Sequence, residues 1–321
     1  MVATFRPLPF LGNNHVQTIL AHLLPIPPHP KPTTVRPLRL PDNDYLVLHD
    51  SVPERWHAGD AIVVMIHGLT GCHGSGNVLR LAHWLLPRGV RVVRVDLRGA
   101  GAGEKLSRRL YNAGCSDDVR EAVAEVHRWS PSSPITLVGF SLGGNIVLKL
   151  AGEAGSAPPP GLIRVAAFAP PVDMKRCAAL LERGVNRLYD AYFTRRLVRM
   201  VYKQQECFPE LPRITFPRRI RLRLFDELYT APRGGFTDAN DYYEKSSALR
   251  LLSRIQLPTL ILTAQDDPFI SADPLLDLPA NPSLDIRIIA KGGHLGFIGP
   301  DGAGGIHWGE RALADWIAPV S

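Results

Sequence analysis

The chain has 321 residues, 45% of them hydrophobic, a content that excludes extensive disorder and suffices for one large mixed core with room for an inserted subdomain. Its formal net charge of +7 comes with only 7% aromatic residues and no nucleic-acid motif, which argues against a nucleic-acid binder and leaves a mildly basic enzyme as the expectation. Cys72, Cys115, Cys177 and Cys207 form no C-x-x-C pair, so their spacing indicates neither a disulfide framework nor a zinc site.

The first twenty residues lack the basic start, apolar stretch and small-residue cleavage site of a leader, and no run approaches a membrane span; a cytoplasmic protein is the expectation. Residues 1–41 are rich in proline, notably Pro25 to Pro30, which predicts extended or turning backbone with no regular helix, and read as an N-terminal arm packed on the core. From Ala61 the pattern alternates. Ala61 to His67 predicts a strand, Asn77 to Leu86 a helix, Val90 to Leu97 a strand, and Ser116 to Trp129 a helix with Val119, Val123 and Val126 on one face. Pro134 to Phe140 and Ile163 to Phe168 continue the strand series, which Thr259 to Thr263 and Asp285 to Ile289 resume after a gap. A last helix is predicted around Gly305 to Ile317. Such alternation predicts an α/β fold: a mostly parallel central sheet flanked by helices. The core is expected in two parts, 42–173 and 253–321. Between them, 174–252 carries many arginines and reads as an inserted helical lid returning to the core, although Ile220 to Leu224 alternates as a strand would.

Gly139-Phe140-Ser141-Leu142-Gly143 fits G-x-S-x-G between a strand and a helix, the context a nucleophile elbow requires. Glycines on both sides let the turn tighten, and the helix start directs unpaired N–H groups at the serine. A serine needs a base, and the base needs a partner that fixes its tautomer. In the chain order serine, acid, histidine, the acid is expected at the end of the strand Leu260 to Thr263, which runs into Asp266 and Asp267, and the base at His294 in Gly292-Gly293-His294. Asp267 is favoured, lying three residues after the small turn residue Ala264, with Asp266 holding the loop. His307 is the weaker base candidate. The N–H groups of Leu69, after His67-Gly68, and of Leu142 are the expected oxyanion donors, and His67 receives no catalytic role. Leu197, Val198, Val201 and Tyr202 are expected to line the inner side of the lid.

These motifs resemble the α/β-hydrolase superfamily and, within it, the YheT-like branch of esterases, which is related to the eukaryotic abhydrolase-domain lipases. The resemblance covers nearly the whole chain. Gly12 to Ile19 is similar to that branch's N-terminal signature, His67-Gly68-Leu69 with Gly71 to its oxyanion loop, and Leu97-Arg98-Gly99 and Tyr111 to Gly114 to its next two segments. Phe225 to Pro232, then Gly234 to Phe236 and Asp241 to Tyr243, is similar to its passage from lid to core. The departures are local: Gly103-Glu104-Lys105 replaces an asparagine-arginine step, and the residues after Gly71 are glycine- and histidine-rich. The resemblance implies a serine esterase for short- to medium-chain acyl groups, needing no metal and no cofactor. Acyl transfer, thioester hydrolysis and lipase action at lipid surfaces are open to the same three residues, and a non-enzymatic scaffold is the remaining alternative. The expected partner is a small-molecule ester and not nucleic acid, with weak peripheral membrane contact through the basic lid also allowed.

Overall fold

The computed structural model describes residues 4–319. Its strands are β1 (Thr34–Arg39), β2 (Tyr45–Ser51), β3 (Ile62–Ile66), β4 (Arg91–Asp96), β5 (Ile135–Phe140), β6 (Leu162–Phe168), β7 (Thr259–Ala264) and β8 (Leu284–Ile289). They form one sheet in the order β1-β2-β4-β3-β5-β6-β7-β8. All pairs from β4 onward in that order are parallel, whereas β1 with β2 and β2 with β4 are antiparallel. The helices α1 (Asn14–Leu23), α2 (Gly76–Leu85), α3 (Ser116–Trp129), α4 (Leu142–Ala154), α5 (Met174–Leu181), α6 (Arg187–Cys207), α7 (Leu222–Phe225), α8 (Ala231–Gly234), α9 (Ala239–Ser246), α10 (Asp273–Leu276) and α11 (Trp308–Ile317) connect or flank it.

Strand residues alternate between two cores because successive side chains leave opposite faces of a sheet. Ile62, Val64 and Ile66 of β3, with Ile135 and Leu137 of β5, pack against α3 and α4, while Val63, Met65, Val138 and Phe140 pack against α2 and α11. Each such buried aliphatic side chain contributes about 1.5–3 kcal/mol relative to exposure. The segment between β6 and β7 holds α5 to α9, with one π-helical turn at Asp226–Thr230, and no strand. No described helix is long and apolar enough to cross a membrane.

Several expectations need correction. The first strands arise before Ala61: β1 is a mostly exposed edge strand containing Pro37, and β2 ends in the buried polar residues His49, Asp50 and Ser51, so neither shows clean alternation. The arm contains a regular helix, α1, which ends at Leu23 before the proline run; Asn13 caps it by accepting from the N–H groups of His15 and Val16. The alternating stretch at Ile220 gives way to helix α7 at Leu222. His307 precedes α11 rather than lying within it, and bridges to Ile298.

Candidate active site

Strand β5 ends at Phe140 and α4 starts at Leu142, leaving Ser141 alone at the turn with φ 52° and ψ −120°. For a non-glycine residue this backbone costs on the order of 1–3 kcal/mol, and its neighbours explain how it is held. A Cβ on Gly139 would lie 2.2 Å from the Gly143 carbonyl oxygen, and one on Gly143 would lie 2.5 Å from the carbonyl oxygens of Ile66 and His67. Only glycine fits at both. The Ser141 N–H donates to the Phe168 carbonyl at 2.8 Å, which ties the turn to β6.

Ser141 Oγ lies 2.9 Å from His294 Nε2, and His294 Nδ1 lies 2.7 Å from Asp267 Oδ2. The carboxylate accepts at one ring nitrogen, so that nitrogen carries the proton and the other is left to accept from the serine hydroxyl. The Asp267 side chain is fully buried, and its Oδ1 takes the N–H groups of Phe269 and Ile270 at 3.1 and 2.9 Å. The Phe269 ring sits 4.4 Å from the imidazole and covers it. Asp266 points elsewhere: its Oδ1 accepts the Gly293 N–H at 2.9 Å and its carbonyl accepts from Asn14 Nδ2 at 2.7 Å. Burial raises the Asp266 pKa, and the neighbouring Asp267 charge adds to the rise.

Sequence reasoning assigned no role in this site to α1, yet that helix holds the histidine loop. The His294 N–H donates to Thr18 Oγ1 at 2.9 Å, and a Cβ on Gly293, whose φ is +57°, would meet the Asn14 carbonyl oxygen at 2.4 Å. Gln17 is fully buried, donating to the carbonyls of Leu11 and Ile298 and accepting the Ile298 N–H. The available signal was the polar run Asn13-Asn14-His15 just before a short amphipathic stretch.

The loop after β3 approaches from the other side. A Cβ on Gly68 would lie 3.0 Å from Ser141 Cβ, which puts the backbone leading to Leu69 against the serine. Neither the Leu69 nor the Leu142 N–H has another hydrogen-bond partner among the described residues. His67 organises this loop: Nδ1 donates to the Gly68 carbonyl at 2.8 Å and Nε2, accepting the Leu97 N–H at 3.2 Å, carries no proton, while burial lowers the pKa of the ring. The Tyr111 hydroxyl donates to the Gly68 carbonyl at 3.1 Å, and Arg196 on α6 donates to the Thr70 carbonyl at 3.0 Å.

A cavity of about 50 Å³ adjoins Leu69 and Leu142, walled by Tyr111, Met174, Leu197 and Phe225 and reaching Asp226 and Tyr229. Of the four residues expected to line the inner side of the lid, all of them on α6, only Leu197 borders this cavity. Val201 is buried against Phe225 and Tyr229, Val198 is half-buried, and Tyr202 is 38% exposed.

Comparison with known proteins agrees with this architecture. Residues 61–301 match the α/β hydrolase fold family. The chain is 31% identical to the protein YheT of Escherichia coli (strain K12), over 98% of this chain and 93% of that one. It is also 31% identical to Phospholipase ABHD3 of Mus musculus, over 74% of this chain and 58% of that protein, so it spans a little over half of that relative. Among solved structures, the Pyrococcus furiosus esterase Pf2001 shares the fold with a TM-score of 0.58 at 16% identity, over 92% of this chain and 95% of that one.

Proposed function

The chain belongs to the α/β-hydrolase family as an ester-cleaving hydrolase of the esterase and lipase type, and from that premise we propose that it cleaves short- to medium-chain carboxylic esters through an acyl-enzyme on Ser141. In this reading His294 Nε2 takes the proton from Ser141 Oγ as the oxygen attacks the acyl carbon, then returns it to the leaving alcohol. Asp267 holds the imidazole in the accepting tautomer and stabilises its cation. The N–H groups of Leu69 and Leu142 receive the oxyanion, aided by the N-terminal dipole of α4. Water then enters, activated by the same histidine, and releases the acid.

The observation that carries the reading is the continuous hydrogen-bonded chain from Ser141 through His294 to Asp267, at 2.9 and 2.7 Å, beside two uncommitted backbone donors. The narrow cavity beside Leu69 and Leu142 supports the shorter acyl groups, and the helices of 174–252, through Leu197 and Met174, act as the lid that shapes it. Hydrolysis of p-nitrophenyl esters from acetyl to palmitoyl tests the proposal. Activity should peak at the short end and fall by about 10³-fold or more in Ser141→Ala. Equal rates for wild type and variant would remove Ser141 from the mechanism.

A further inference from the structure

A second histidine–carboxylate cluster lies outside the residues assigned above to ester cleavage and takes one member, His73, from the glycine- and histidine-rich stretch after Gly71. Asp96, at the end of β4 and fully buried, receives His49 Nε2 at 2.9 Å and His73 Nδ1 at 2.8 Å on the same oxygen, Oδ2. The two imidazoles stack with centroids 3.5 Å apart and planes within 13°. Two backbone donors already orient the carboxylate: the His73 N–H reaches Oδ1 at 2.6 Å and the Ala102 N–H reaches Oδ2 at 2.9 Å. Gly101 permits this approach, because a Cβ there would lie 2.4 Å from Oδ2. Oδ2 thus carries three donors, two of them on groups that ligate metal when deprotonated.

We infer that His49, His73 and Asp96 form a binding site for a divalent cation of the zinc class. One ligand atom from each residue lies within 4.8 Å of the other two. A tetrahedral ion with bonds of about 2.1 Å needs ligand atoms about 3.4 Å apart, so modest side-chain shifts close the site. Two imidazoles and one carboxylate suit zinc, nickel or cobalt rather than magnesium or calcium. The backbone donors on Asp96 would remain as its outer support. His73 is 20% exposed and opens the cluster to solvent, leaving a fourth position for water. The guanidinium of Arg94 lies on the same sheet face but directs its donors to His29 Nδ1, the His73 carbonyl and Thr33 Oγ1, each at 3.3 Å. Its charge opposes a cation and so weakens the expected affinity. Because the ion displaces imidazole protons, affinity rises with pH. The three ligands come from β2, from the loop after β3 and from β4. A bound ion therefore fastens the loop that carries Leu69, whatever reaction occurs at Ser141.

The test is titration of the full-length, chelator-treated protein with Zn²⁺, read by calorimetry at neutral pH and again at about pH 6. Ni²⁺ and Mg²⁺ serve as comparisons, and thermal unfolding is followed in parallel. One equivalent should bind saturably and raise the unfolding midpoint, more weakly at the lower pH and not with Mg²⁺. His73→Gln, at the partly exposed position, and Asp96→Asn should each weaken binding at least about tenfold, with circular dichroism confirming the fold. The inference is overturned if the wild type shows no saturable binding. It is equally overturned if binding persists in folded His73→Gln but disappears in His294→Ala, which would place the ion at the proposed catalytic histidine.

Discussion

Adjacent carboxylates with different partners give the most direct test at the scale of single residues. Asp267 alone faces His294, so Asp267→Asn should lower kcat by about 10³- to 10⁴-fold through loss of the charge and the tautomer it fixes, while KM changes little. Asp266→Asn keeps an acceptor for the Gly293 N–H and should cost about tenfold or less. Comparable losses in both variants, measured on one ester, would contradict the division of labour. Asp226 makes a different prediction. Burial pushes its carboxyl up to about 7, the Thr230 and Tyr243 hydroxyls pulling against that rise and the Asp190 charge adding to it. Between about pH 4 and pH 7 the folded chain keeps a proton that the unfolded chain has released, so stability falls as pH rises and levels off above about 7. A rise of about three pH units corresponds to about 4 kcal/mol. Denaturant midpoints for wild type and Asp226→Asn across this range should diverge in slope, with the variant flatter; parallel curves would show that Asp226 is ionised throughout.

Among the elements, those with one strong period were legible in sequence and those held by side-chain contacts were not. Val63, Met65, Val138 and Phe140 read as buried strand because both faces of the sheet are covered, and the glycines around Ser141 read as an elbow because no other residue fits there. Helix α1 was hidden because its inward face is polar: Asn14, Gln17 and Thr18 make hydrogen bonds to loops between 252 and 281 residues away. β2 was hidden because its last residues pair with Arg91 and Asp96 rather than with a hydrophobic layer. This hidden helix makes Thr18 a positioning residue for His294. Thr18→Val removes the acceptor for the His294 N–H and should lower kcat by about tenfold, with KM nearly unchanged. Thr18→Ser should restore the rate, whereas equal loss in both variants would indicate that only packing is involved.

For the molecule as a whole, the proposed reading makes substrate choice a matter of how the helices between β6 and β7 pack over the sheet. Helix α6 reaches the loop after β3 through Arg196 and the Thr70 carbonyl, and its Leu197 forms a wall of the cavity that Leu69 and Leu142 border from the core side. If this cavity is the acyl pocket, as proposed, acyl length is set jointly by α6 and the core, and shortening one α6 residue should move the limit. Leu197→Ala removes three carbon atoms from the wall of a cavity of only about 50 Å³, and it leaves Ser141, His294 and Asp267 untouched. Loss of a buried leucine costs stability, about 2–5 kcal/mol, so the comparison belongs at a temperature where the variant remains folded. Each accommodated methylene is worth about 1–3 kcal/mol of transition-state binding in an apolar pocket. The ratio of kcat/KM for hexanoyl over acetyl esters should therefore rise by about tenfold or more in the variant. An unchanged ratio, with the variant folded and active on the acetyl ester, would show that the acyl chain leaves the serine by another route and that this cavity is not its pocket.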